Sequence, residues 1–344
     1  MRYVNWGILV VVAACSAEDH VAPAWREPEA PARATLVPPD YKYVGTAYPF
    51  EGNFNDVNDR GLVVGMGNFR AIAMQLGGPG TALSGGRFRE AEAHAVNAFD
   101  MIVGTVYKGQ WRNSDGSPAI WSTVGATPTV LKELGSANDL NDAGFVVGTI
   151  VRGGLIYGFG WDSVTRVIQV LPPLKGGKQT TAVAVNNDRI ILGFSEDGFG
   201  GWTSVTWQYN GTAWTPRQIN GLTGSDIDHG YGVVGRASNR AAYGFPHFAG
   251  YLGTTTDSYA NRIASNGLIA GFDPGASLGW PSYGRGFVAD RNGAVSYMPD
   301  PLGGNMWRHS EVRAVNACGV AVGFDWPLPA PTFTQQPVVW NPGC

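Results

Sequence analysis

The sequence predicts an all-β protein, a seven-bladed β-propeller of four-stranded blades in which an N-terminal strand completes the last blade. Three observations predict it: a composition of turns and aromatics, a nine-residue motif written seven times, and a fourth-strand segment standing ahead of the first repeat. The chain of 344 residues carries 49 glycines, 12 tryptophans and 15% charged residues. Glycine and proline punctuate strands and aromatics fill pleated surfaces, so this balance describes a turn-rich β chain. The formal net charge of −3 offers no basic footprint and argues against a nucleic-acid partner.

The motif reads VNDRGLVVG (57–65), VNAFDMIVG (96–104), LNDAGFVVG (140–148), VNNDRIILG (185–193), IDHGYGVVG (227–235), IASNGLIAG (263–271) and VNACGVAVG (315–323). Its spacing of about 43 residues is that of one propeller blade. Asn at the first turn position caps its own backbone, and Gly takes the left-handed conformation that closes a tight hairpin between strands A and B. Asp100 replaces that Gly acceptably, whereas Arg189 and Tyr231 fit it badly, so those two hairpins are expected to be built differently. A third strand follows in PAIWS (118–122), YGFGW (157–161), SVTWQ (204–208), RGFVAD (285–290) and PVVWN (337–341). Segments such as VLPPLKGG (170–177) and YMPDPLGG (297–304) supply a fourth, where Pro suits an outer edge. The seventh unit stops after its third strand, while a fourth-strand match, TLVPPD (35–40), precedes the first. A ring closes if that segment completes the last blade and so removes the exposed edges. Six or eight blades, or a β-helix, are the alternatives.

At the N-terminus, Arg2 precedes an apolar run from Gly7 to Ala14 that is too short to span a bilayer and reads as an export signal. LVVVAACS resembles the lipobox of bacterial lipoproteins. That resemblance implies a signal peptide over 1–14, acylation of Cys15 and passage to the outer membrane or cell surface; an ordinary signal peptide is the alternative. Acyl chains would hold the chain at a membrane at roughly 0.8 kcal/mol per buried methylene. Residues 15–33 read as a Pro/Ala-rich tether, leaving 34–344 for the propeller. In an exported chain Cys318 and Cys344 can pair. Blade geometry puts both on one face, and closing that loop of about 25 residues would add roughly 3 kcal/mol; two free thiols are the alternative.

The segment LPPLKGGKQTTAVAVNNDRIILG, with the recurring hairpins and aromatic third strands, resembles the HAF-repeat family of predicted extracellular bacterial proteins over nearly everything after the tether. The literal His-Ala-Phe triplet is replaced here by AIW, GFGW, VTW, GFV and VVW. That family carries no established catalytic residues, so the resemblance implies a fold and an extracellular setting and no active site.

Function must therefore come from what the repeats do not share. In a blade, the A–B and C–D turns emerge on one face, and the B–C loops and D–A connections on the other. The long B–C loops contribute Trp111, Trp202, Trp280, Tyr283 and Trp326. Rigid aromatic faces suit sugar rings or a protein anchor, although each Trp could instead lie over its own blade as a lid. Three residues before the turn residue of each motif stand Asn55, His94, Asn138, Val183, Ser225, Asn261 and Arg313, a mostly polar ring for a ligand or for channel water. No EF-hand pattern survives, because Arg60 and Ala143 stand where an oxygen ligand is needed. No His or Cys has zinc spacing, and neither a nucleotide loop nor a nucleophile elbow is present. No metal or cofactor is implied. The expectation is a surface-tethered, non-enzymatic module that binds a glycan or a cell-surface protein. The alternative is a polysaccharide lyase or hydrolase built on Glu92, His94, Glu311 and Arg313, which would need its carboxylates within about 5–10 Å.

Overall fold

A computed structural model describes residues 43–109, 115–244, 248–276, 284–301, 308–327 and 335–342. Among them every regular element is a β-strand, arranged as seven four-stranded antiparallel sheets. In six sheets the strands follow chain order, and the seventh is assembled from both ends of the chain. The protein is a seven-bladed β-propeller. The strands A run through Gly52–Val57, Glu90–Val96, Leu134–Leu140, Thr180–Val185, Thr223–Ile227, Tyr259–Ile263 and Arg308–Val315; blades are numbered 1 to 7 in that order.

Ring closure is made by Tyr43–Ala47, which pairs antiparallel with Gln336–Pro342, Thr46 opposite Val339. The closing strand is thus found a few residues beyond the segment expected from the sequence, and residues 35–40 lie outside the described ones. Tyr48 then donates its backbone N–H to Pro337 O at 2.9 Å, as Leu171 does to Gly158 O and Met298 to Gly286 O after the fourth strands of blades 3 and 6. Proline follows each of these three residues, so it marks the connection to the next blade rather than the strand itself.

The core is a ring as well. Seven clusters of buried side chains sit between neighbouring blades, from Leu62, Val64, Ala93 and Trp121 between blades 1 and 2 to Phe54, Val63, Val322 and Val339 between blades 7 and 1. The third-strand tryptophans explain their recurrence here. Trp121, Trp207 and Trp340 are fully buried, and each indole N–H donates to a carbonyl of the preceding connection: Ser84 O (2.7 Å), Pro172 O (2.7 Å) and Pro299 O (3.0 Å). A buried Trp needs that partner.

The motif itself has two jobs. The Asn58 side-chain oxygen accepts from Arg60 N and Leu62 N, which caps its own turn, while its amide donates to Asn97 O of the next blade at 2.8 Å. Asn97, Asn141 and Asn186 repeat the inter-blade bond, and Asn316 closes it onto Asn58 O at 3.0 Å. Asn is needed because one side chain must both accept and donate.

Two expectations about turns are corrected. Arg189 and Tyr231 adopt φ of 60° and 62°, the same left-handed conformation as Asp100 and the glycines, and their N–H groups bond back to Asn186 O and Asp228 O as in the other blades. The caps from Asn186 to Ile190 N (2.8 Å) and from Asp228 to Gly232 N (2.7 Å) hold the turn, and the cost of about 1–2 kcal/mol is offset. Arg189 contributes an ion pair with Asp162 at 3.1 Å and lies over the Phe145 ring. Cys318 lies in the A–B turn of blade 7; Cys344, like Cys15, lies outside the described residues.

Candidate functional site

The ring presents two mouths, and the side chains sort between them. All seven strands A carry a β-bulge at the residue three before the turn, where register slips between Phe54 and Asp56, Ala93 and Ala95, and at the five equivalents. The bulged residues are the expected polar ring. Five of them latch onto the next blade: Asn55 donates to Ala93 O (2.8 Å), Asn138 to Ala182 O (2.7 Å), Asn261 to Val312 O (2.8 Å) and Ser225 to Ala260 O (2.5 Å), and His94 Nδ1 lies 2.8 Å from Ala137 O. A bulge leaves a carbonyl outside the ladder, and the neighbour's side chain takes it.

His94 also pairs with Glu92 at 3.8 Å, and Arg313 with Glu311 at 2.9 Å. Burial pulls the Glu92 carboxyl up, but the hydrogen bonds and charge of His94, with Asn55 and Asn53, outweigh it and hold the group down at about 2. Burial likewise pulls His94 down, and Glu92 with Ala137 O reverses that to a net rise. Glu311 takes further bonds from Tyr259 OH (3.1 Å) and Asn261 Nδ2 (3.2 Å). The two carboxylates are therefore each bound up with partners of their own and the preceding blade.

The sequence reading passed over the next residue along. Two before the turn stand Asp56, Ala95, Asp139, Ala184, Asp226, Arg262 and Ala314. Arg262 reaches across the channel to Asp56 (3.0 Å), Asp139 (3.1 Å) and Asp226 (3.9 Å), with its side chain only 17% exposed. Each carboxylate also accepts from the next blade's backbone: Val96 N on Asp56 and Val185 N on Asp139 at 2.9 Å, and Ile263 N on Asp226 at 2.8 Å. Above this cluster, at the A–B turns, opens a cavity of about 180 Å³ edged by Asp59, Asp142, Asn187, His229 and Ser265. Its rim is internally saturated too. Asp59 accepts from Ala317 N, and Asp142 from Ala98 N and Asn187 Nδ2. Among the described residues no group of three or more His, Cys, Asp or Glu is arranged to hold a metal ion.

Three carboxylates share one guanidinium, so ionising all three is costly. Burial first, then repulsion from Asp139, push Asp226 up to about 7 against the pull of Arg262, and burial raises Asp139 as well. A carboxyl with a folded pKa above its unfolded value near 3.8 binds its proton more tightly in the native state. Its contribution is full below the unfolded pKa and is lost as pH rises through 7. The expected outcome is a melting temperature that falls between pH 5 and pH 8, with Asp226→Asn flattening that fall; an unchanged slope in thermal melts across this range would contradict it.

The B–C face is different, because its groups point outward. Strands B and C of blade 4 (Ile191–Glu196 and Trp202–Tyr209) are joined by a hairpin that Asp197 caps, accepting from Phe199 N and Gly201 N, both at 2.8 Å. The hairpin holds Phe199 100% exposed and Trp202 47% exposed. Phe199 is the residue sequence reasoning missed, although the fragment DGFGGW signals a tight turn whose Phe has no core to enter. Trp326 behaves as the lid alternative describes. It is half-buried, with its ring 4.5 Å from His309 and 5.0 Å from Phe324, and burial holds that His309 down at about 4. Trp111, Trp280 and Tyr283 lie outside the described residues.

No protein-family model and no curated protein matches this sequence. Solved structures do resemble the fold. An acylaminoacyl peptidase from Pyrococcus horikoshii is 10% identical over 85% of this chain and 51% of that one, TM-score 0.52. YCF48 from Cyanidioschyzon merolae is 10% identical over 87% and 99%, TM-score 0.50. The β-propeller domain of the Trilobed protease from Pyrococcus furiosus is 10% identical over 85% and 94%, TM-score 0.49. The likeness is one of fold alone. The chain spans about half the length of the peptidase.

Proposed function

We propose that the chain is an exported, non-enzymatic binding module, held at the outer membrane or cell surface through Cys15, that takes a glycan or a surface protein on its B–C face. The observation that carries this reading is the capped hairpin of blade 4, which fixes Phe199 fully in solvent with Trp202 beside it. A monomer buries an exposed aromatic when it can, and an aromatic fixed in place binds at small entropic cost. The A–B mouth offers less, since the carboxylates that line it are already engaged by Arg262 and by neighbouring backbone. The pairs Glu92–His94 and Glu311–Arg313 are likewise spoken for, which favours binding over catalysis. The likeness to the HAF-repeat family and the lipobox reading of LVVVAACS support the extracellular setting as proposals of the same kind.

The test is a glycan and protein array probed with residues 34–344 and with Phe199→Ala/Trp202→Ala. The double variant is expected to lose at least tenfold in affinity for whatever the parent retains, at an unchanged melting temperature. Equal retention by both would remove the B–C hairpin from the reading.

A further inference from the structure

Among the described residues, the lysines of this propeller are confined to one face in a way the net charge conceals. Of the lysines in the described residues, Lys108 follows strand B of blade 2 in its B–C loop, Lys132 lies in the connection from blade 2 to blade 3, and Lys175 and Lys178 lie in the connection from blade 3 to blade 4. All four are exposed and all emerge on the B–C face. None of the four forms an ion pair with a carboxylate among the described residues. The acids of the same sector are Glu133, paired with Arg152 at 2.8 Å, Glu196, which accepts from Lys178 N at 2.8 Å, Asp197, which caps its own hairpin, and the exposed Asp115. The opposite face carries Asp59, Asp100, Asp142, Asp162, Asp188 and Asp290 at its turns together with Arg60, Arg166, Arg189 and Arg291 and, among the described residues, no lysine.

The aromatics stand in the same sector as the lysines. The 174–179 connection packs directly on the blade 4 hairpin; a Cβ added at Gly176 would lie 2.8 Å from the Gly198 backbone. Two lysines therefore flank Phe199 and Trp202, with the other two one or two blades away. Ammonium groups that remain hydrated and unpaired give attraction without fixed geometry, and aromatic faces beside them accept the apolar faces of sugar rings.

Resting on the reading of the B–C face as the binding face, we propose that its ligand is an acidic polysaccharide, with Lys108, Lys132, Lys175 and Lys178 pairing with carboxylates along the chain while Phe199 and Trp202 stack on its rings. An anionic bilayer offers the same charge, but Tyr43, which begins the closing strand opposite Pro342, stands at the A–B end of its blade, away from the lysines.

The experiment measures binding of the full chain to polygalacturonate, to the same polymer fully methyl-esterified, and to phosphatidylglycerol vesicles, at low and at physiological salt. The expected result is binding to polygalacturonate that weakens at least tenfold with salt and at least tenfold for the methyl ester. The variant K108Q/K132Q/K175Q/K178Q, altered only at exposed positions, is expected to lose at least tenfold on polygalacturonate with its melting temperature unchanged. No binding of polygalacturonate at low salt, equal binding by the lysine variant, or tighter binding to vesicles would each overturn the proposal. Equal binding of both polymers, lost only in Phe199→Ala/Trp202→Ala, would overturn the acidic ligand while leaving the B–C face as the binding face.

Discussion

Replacing Arg262 by methionine is expected to destabilise the propeller by about 3–5 kcal/mol, because removing one partner of a buried ion cluster leaves the others uncompensated. Asp56, Asp139 and Asp226 have side chains only 10%, 9% and 7% exposed, and among the described residues Arg262 is the cation that pairs with them. A methionine fills the volume, so the loss reads electrostatics rather than a cavity. The matching variant, R262M together with Asp56→Asn, Asp139→Asn and Asp226→Asn, is expected to recover most of it. Each Asn keeps a side-chain oxygen for Val96 N, Val185 N or Ile263 N, and no charge remains to desolvate. The ring contains its own precedent, since Ala95, Ala184 and Ala314 occupy the same position in three blades, fully buried and without any charge. Urea midpoints of the three proteins decide the matter. A loss below about 1 kcal/mol in R262M, or no recovery in the quadruple variant, would mean that Arg262 is not what balances the channel.

The architecture was legible because the hairpin repeats as a unit: Asn58, Asn97, Asn141, Asn186 and Asn316 must be Asn to cap one turn and reach the next blade, so the constraint is written in five of the seven blades, with Asp228 and Ala264 at the other two. The channel was less legible, and the reason is local. Strand alternation assigns successive residues to opposite faces, and a reader who takes Asn55, His94 and Asn138 as the inward set passes over Asp56 and Asp139. The bulge breaks that alternation in every blade, and nothing in the residue types announces it, since Asn, His, Val, Ser and Arg all occupy the position. The signal that was available is the series Asp56, Ala95, Asp139, Ala184, Asp226, Arg262, Ala314, where charge replaces a small residue next to a hydrophobic one. The facial segregation of lysine is invisible in a net charge of −3 and emerges only after each connection has been assigned to a side of the ring. Trp326 shows the converse. Its loop position suggested a ligand platform, but the partners that half-bury it, His309 and Phe324, come from its own blade.

Deleting the closing strand is expected to have an effect of similar size. A chain beginning at Tyr48 loses the five residue pairs from Tyr43↔Pro342 to Ala47↔Val338. It also loses Tyr43 itself, a buried member of the core cluster between blades 6 and 7 that includes Met298, Val312 and Trp340. Burying one large side chain is worth about 2 kcal/mol and each ladder hydrogen bond about 1 kcal/mol net. The conformational entropy of ordering five residues offsets part of this gain, so relative to a chain beginning at residue 43 a loss of about 3–5 kcal/mol is expected. The damage goes beyond energy, because strand Gln336–Pro342 becomes an open edge that pairs with any extended chain. The truncated protein should therefore self-associate, and a synthetic peptide of residues 41–49 should restore both the melting temperature and the monomer. The peptide arm separates closure from general weakening. The same peptide carrying Tyr43→Ala restores the monomer if the vacant fourth-strand position is the cause, and fails to if the lost core contact of Tyr43 is. Unchanged melting of the truncated chain would show that three strands suffice for the seventh blade, and that the ring is held by its Asn latches and the Arg262 cluster instead.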